Sequence, residues 1–153
     1  MELTPDWKEF IECLQENHVD FLIVGAFAMG FHSLPRMTGD IDFWVRPDEL
    51  NSTRAWQAIN DFGLGVIGFK PLDLANGKTL IMGVPPGRID LLPEISGVDF
   101  DSAWSRKVEG ILENLAVFFI SEEDLLLNKR STGRLKDAAD VERLEKRMKK
   151  RNG

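Results

Sequence analysis

Apolar residues at 7, 10, 11 and 14 recur at helical spacing behind Thr4-Pro5, a pair suited to cap a helix and set its first turn. The spacing predicts a helix that runs to about Asn17, with Trp7, Phe10, Ile11 and Leu14 on its buried face. FLIV at 21–24 is a short continuous apolar run, as a strand covered on both faces requires. Gly25 to His32 is small and apolar and predicts a helix entered directly from that strand, followed by the loop LPRMTG. DIDFWV at 40–45 predicts a second strand, and Pro47-Asp48 opens an amphipathic helix through Trp56, Ile59 and Phe62. The stretch GLGVIGFKPLDLANGK mixes Gly, Pro and Asn with isolated apolar residues, which predicts loops with one edge strand.

Further on, TLIMGV at 79–84, a Pro-Pro-Gly turn and RIDLLPEI at 88–95 predict a hairpin. VEGILENLAVFFIS predicts another pair of short strands around Glu113-Asn114. Ser121-Glu-Glu-Asp124 resembles a capping box that starts a helix carrying Leu125 to Lys129. Residues 135 to 150 predict a long final helix after Thr132-Gly133. This order predicts an α/β fold, a small mixed sheet with helices on its exposed faces, as a single domain over 1–153.

With 153 residues, 43% of them hydrophobic and 29% charged, the chain has the composition of a globular protein with one core. No apolar stretch approaches the ~20 residues that span a bilayer, and MELTPDWKEF lacks the basic and apolar regions of a secretory signal. The single Cys13 excludes an internal disulfide and has no metal spacing, so the expected setting is a reducing cytoplasm, away from membranes. Cys13 reads as a small core residue, and His18 and His32 as structural residues at helix ends. The net charge of −6 is unevenly spread. From Lys129 onward ten basic residues face four acidic ones, whereas the first 128 residues hold nine and twenty-one. An acidic body with a basic C-terminal helix argues against a general nucleic-acid coat and permits a local contact with phosphate or RNA.

Charge changes the reading most at RMTGDIDFWVR. Strand alternation puts Asp40 and Asp42 on one face, about 6.5 Å apart along the strand, while Ile41 and Phe43 enter the core. Like charges at that distance repel unless water, a proton or a cation lies between them. Asp90, in Arg88-Ile-Asp-Leu-Leu, repeats the pattern on a strand expected nearby. Three carboxylates on one sheet face would make an oxygen-only site of the kind that Mg²⁺ or Mn²⁺ occupies with water and substrate phosphate. Gly25-Ala26, at a strand-to-helix junction, lets backbone N–H groups approach an anion, and Lys129, Arg134 and Lys136 are candidate cations. Trp44 reads as a core residue able to stack on a base.

An apolar strand, a turn of Gly plus a small residue, a spacer and then an Asp-Ile-Asp-Phe run resemble the DNA polymerase β-like nucleotidyltransferase superfamily. The string Arg36-x-Thr38-x-Asp40-Ile-Asp42-Phe43 is similar to its small prokaryotic branch of minimal nucleotidyltransferases and abortive-infection toxins. So is the later set Lys129, Arg134, Lys136, Asp137 and Asp140. The resemblance implies a nucleotidyltransferase fold and metal-dependent transfer of a nucleoside monophosphate from an NTP to an acceptor hydroxyl. The acceptor would be a tRNA end, a protein side chain or a small molecule. It further implies that Asp40, Asp42 and Asp90 hold the metals, with Asp90 aiding deprotonation of the acceptor. Gly25 and Ala26 would contact phosphate, Lys129 would offset triphosphate charge, and Asp137 would position Lys129 or the acceptor. Arg36 and Thr38 fall among its nucleotide-contacting positions, although Arg36 is equally able to pair with an acid or close the loop. Ala26 departs from the Gly or Ser usual in the family; it lacks a hydroxyl and restricts the turn, but keeps its N–H. The same scaffold also admits a non-catalytic module that binds a nucleotide or a partner protein, as in a toxin–antitoxin pair.

Overall fold

In the computed structural model, which describes residues 2–35 and 37–152, the Asp-Ile-Asp run stands near the middle of a six-stranded mixed sheet. The strands are β1 Phe21–Val24, β2 Asp40–Val45, β3 Leu80–Met82, β4 Arg88–Leu92, β5 Val108–Leu112 and β6 Leu115–Phe119, in spatial order β3-β4-β2-β1-β6-β5. Two hairpins, β3–β4 and β5–β6, form the edges. The middle is an antiparallel β1–β2 pair, joined to the hairpins by parallel β2–β4 and β1–β6 contacts. The helices are α1 Pro5–Glu16, α2 Gly25–His32, α3 Glu49–Asp61, α4 Phe100–Ser105, α5 Glu122–Thr132 and α6 Leu135–Asn152. The fold is thus α/β: a mixed sheet with flanking helices and a long C-terminal helix.

Local chemistry explains the helix starts. Thr4 Oγ1 accepts the Trp7 N–H at 3.1 Å, and Asp48 accepts that of Asn51 at 2.7 Å. Ser121 caps α5 by accepting the Asp124 N–H at 3.1 Å. The buried Asp124 carboxylate then takes hydrogen bonds of 2.8 and 3.0 Å from Arg106, which ties the start of α5 to the end of α4.

Sheet alternation divides β2 between two environments. Phe43 lies on one face with its ring centroid 5.6 Å from Phe10 of α1 and 5.5 Å from Phe21 of β1. Asp40, Asp42 and Trp44 alternate onto the other face, where Trp44 is buried edge-on against Phe100 of α4 at 5.1 Å. Trp44 is therefore a core residue. His32 is buried with Nε2 2.7 Å from the Ile120 carbonyl, and His18 follows α1 in a left-handed conformation, so both are structural. Cys13 is buried, and burial pushes its thiol upward, away from a reactive thiolate.

Two segments differ from the sequence expectation. Among the described residues, 63–78 contains no strand. It folds as a short 3-10 turn, Gly65–Ile67, and further turns held to α3. Trp56 Nε1 donates to the Phe69 carbonyl and Ser52 Oγ to that of Pro71, each at 2.8 Å, so side chains of α3 take up backbone acceptors that a strand would pair. The other difference is α4, six residues whose length is too short to show helical periodicity. Asp99 makes it a helix by accepting the Ser102 N–H at 3.2 Å.

Because α5 is set by its cap, Ser121→Ala is expected to lower stability by about 1 kcal/mol. Urea unfolding followed by circular dichroism checks this, and the denaturant slope should stay unchanged.

Candidate functional site

The parallel register of β2 and β4 pairs Asp40 with Arg88, Asp42 with Asp90 and Trp44 with Leu92. Residues in register share a face, so two acids from one strand meet an acid and an arginine from the next. One carboxylate oxygen from each of Asp40, Asp42 and Asp90 lies within 4.8 Å of the other two. Asp90 is buried, and Asp40 and Asp42 are half-buried.

This crowding governs protonation. Asp42 is pushed from the usual 3.8 up to about 7, by burial first, then by the charge of Asp40 and by a hydrogen bond and repulsion from Asp90. The Arg88 charge opposes this rise without cancelling it. Near neutral pH Asp42 is therefore only about half ionised, sharing a hydrogen bond with Asp90. A site that draws in a proton to relieve repulsion among hard oxygen donors has the chemistry that suits a divalent cation.

The start of α2 closes on the same carboxylate. Gly25 has φ +68°, and a Cβ there would collide with Oδ2 of Asp42 and lie 3.1 Å from its Cγ. Both the backbone conformation and the close approach require glycine. The antiparallel partner of Asp42 is Val24, which brings this junction to the acids. No side chain caps α2, so the N–H groups of its first turn open on a cavity of about 1040 Å³ lined by Gly25 and Ala26.

Asp40, Asp42 and Asp90 line that cavity, and so do Lys129, Arg134, Lys136 and Asp137. Lys129 is buried and committed to two acids, with Nζ 3.3 Å from Asp137 and 3.0 Å from Asp140. Burial pushes Asp137 upward, but hydrogen bonds from Thr132 and Arg134, with the charges of Lys129 and Arg134, hold it below its usual value. Lys129 is thus a neutralised anchor. Lys136 reaches the same cavity and forms no ion pair among the described residues.

Thr38 does not line this cavity. Its hydroxyl sits behind Asp40, 3.0 Å from the Asp40 carbonyl and 3.1 Å from Oδ1, where it orients that carboxylate. Arg36 lies outside the described residues. Sequence reasoning passed over Arg88 as a site residue. Its guanidinium donates to both Asp90 oxygens at 2.9 Å and to Asp40 at 3.1 Å. The signal was available, since a residue two positions before Asp90 on a strand shares its face.

No family model matches the chain, and no curated protein matches it.

Gly25→Ala should force Asp42 aside and impose backbone strain of about 1–2 kcal/mol. It is expected to lower the thermal midpoint and to weaken Mn²⁺ binding at least tenfold, read by the quenching of free Mn²⁺ electron paramagnetic resonance. Asp42 also makes stability depend on pH in a defined direction. Because the folded chain holds this proton more tightly than the unfolded chain, the penalty of ionising Asp42 is complete above pH 7. It shrinks as pH falls from 7 towards 4. In metal-free buffer, Asp42→Asn should therefore be more stable than the native protein at pH 7.5, on the order of 1–3 kcal/mol, with the gap closing by pH 4. Paired unfolding curves across that range measure it.

Proposed function

We propose that the chain is a metal-dependent nucleotidyltransferase, related to the polymerase β-like superfamily, that moves a nucleoside monophosphate from an NTP to an acceptor hydroxyl. The convergence of Asp40, Asp42 and Asp90 in a cavity bordered by the start of α2 carries this reading. In the reaction the acceptor oxygen bonds to the α-phosphorus, the bond to the β-phosphate oxygen breaks, and pyrophosphate leaves with the hydroxyl proton lost to a base. Mg²⁺ or Mn²⁺ held by the three carboxylates would activate the acceptor oxygen and stabilise charge on the leaving group.

The protein's own contribution is placement and charge. Gly25 and Ala26 offer N–H groups to phosphate oxygens. Lys136, with the exposed part of Arg134, supplies positive charge to the triphosphate. Lys129 and Asp137 hold the wall formed by α5 and α6 in position, a different task from direct neutralisation of the nucleotide. Asp90 is the group proposed to take up the acceptor proton. The basic residues of α6 favour an anionic acceptor such as RNA over a neutral small molecule. No helix among the described residues is long and apolar enough to cross a membrane, and the proposed setting is the cytoplasm.

A second reading draws on Arg88. Its contacts with Asp40 and Asp90 satisfy much of the acid cluster without a cation, as in a module that binds a nucleotide or a partner protein without turnover. Ala26 fits that reading too, and a toxin–antitoxin component would be its natural setting.

The two readings separate when the protein and Mg²⁺ are incubated with each α-labelled NTP in a cell extract. Label transferred to RNA, protein or a small molecule, and reduced about 100-fold or more in Asp42→Asn and Asp90→Asn, is the expected result. Mg–NTP binding without transfer supports the module instead. Neither binding nor transfer overturns the enzyme and the nucleotide-binding module alike.

A further inference from the structure

We propose that Arg88 is an internal counter-ion that occupies the acid cluster in the free protein and moves onto nucleotide phosphate, so that nucleotide and divalent metal bind cooperatively. This rests on the metal-dependent reading above and assigns how that site is regulated.

The two ends of the Arg88 fork are unequal. Nε and Nη2 grip Asp90 through both carboxylate oxygens, each at 2.9 Å, whereas Asp40 receives only Nη2, at 3.1 Å. A planar bidentate pair is stronger than a single shared contact. Asp90 is also the more deeply buried acid, with 8% of its side chain exposed against 29% for Asp40. The contact to Asp40 is therefore the weaker one and the first to exchange. Arg88 itself is one-third exposed at 34% and lines the cavity, so its guanidinium can turn towards a ligand there while its stem stays on β4. Its Nη1 forms no hydrogen bond among the described residues and supplies a spare donor edge.

A divalent cation drawing on the same oxygens would sit a few ångströms from a fixed positive charge, in a site partly shielded from water. Like charges at that distance oppose each other strongly. Metal binding by Asp40, Asp42 and Asp90 must then displace Arg88, from Asp40 first, or bear the repulsion. A triphosphate offers the guanidinium replacement oxyanions and removes this conflict. Lys129 is less able to make the same exchange, because it is 8% exposed and held between Asp137 and Asp140. By linkage, whatever the nucleotide adds to metal affinity through Arg88 the metal adds to nucleotide affinity.

NTPs chelate metals by themselves, so the test must begin without nucleotide. Mn²⁺ binding to the native protein, Arg88→Gln and Arg88→Lys is titrated by electron paramagnetic resonance, after circular dichroism has verified folding. ATP binding in EDTA is then measured on the same proteins by calorimetry. The proposal expects Arg88→Gln to bind Mn²⁺ about tenfold tighter than the native protein and metal-free ATP several-fold more weakly. Arg88→Lys, which keeps the charge but not the fork, should fall between, and decides the matter if Arg88→Gln does not fold. Unchanged or weaker Mn²⁺ binding in the folded variants overturns the counter-ion role while leaving the metal site standing. If no folded protein in the set binds Mn²⁺, the metal-dependent reading fails and this inference fails with it.

Discussion

Mutual repulsion of three carboxylates, each with an oxygen within 4.8 Å of the other two on one sheet face, is the constraint to which the surrounding structure answers. Ionised carboxylates at that separation and partial burial do not coexist without compensation. The protein answers in three ways: Asp42 retains a proton to about pH 7, Arg88 bridges Asp40 and Asp90, and Thr38 orients Asp40 from behind. What fixes the acids in place is the other face of β2. Ile41 and Phe43 are fully buried there, and burying such side chains contributes roughly 1.5–3 kcal/mol each. That is the same order as the cost of keeping Asp42 in the cluster, so the apolar half of the strand can hold the polar half in register.

A second charged cluster lining the cavity solves a different electrostatic problem. Lys129, Asp137 and Asp140 are buried together, with Arg134 and Thr132 completing the hydrogen bonds of Asp137. Buried ion pairs contribute little net stability compared with apolar packing, but removing one partner strands the others. This cluster therefore fixes the angle between α5 and α6 more than it strengthens the fold. The charges of Lys129 and Arg134 balance those of Asp137 and Asp140, and Lys136 lines the same cavity.

Most element boundaries were legible because their causes are local. Thr4 and Ser121 act on N–H groups three residues away, and FLIV and DIDFWV need only their own side chains to declare a strand. The exceptions follow from the same logic. Segment 63–78 takes its shape from hydrogen bonds to Trp56 and Ser52 of α3, and α4 is shorter than two helical turns. Neither cause leaves a periodic trace.

For the site, alternation along one strand determined that Asp40 and Asp42 share a face, and it would have put Arg88 beside Asp90. Only tertiary structure decided that the two pairs meet, because the parallel register that sets Asp42 opposite Asp90 joins strands separated by more than forty residues. The same holds for Gly25. Its small size can be read from the sequence, but the reason for it is the Asp42 carboxylate, brought there by the β1–β2 register. Lys129 shows the limit most sharply: a lysine near the end of a helix looks like a free cation until α6 folds back and covers it with Asp137 and Asp140. Sequence determines which groups a segment can present and on which face. Whether a charge is free, paired or repelled depends on what lies within a few ångströms, and chain-distant neighbours arrive there only through folding.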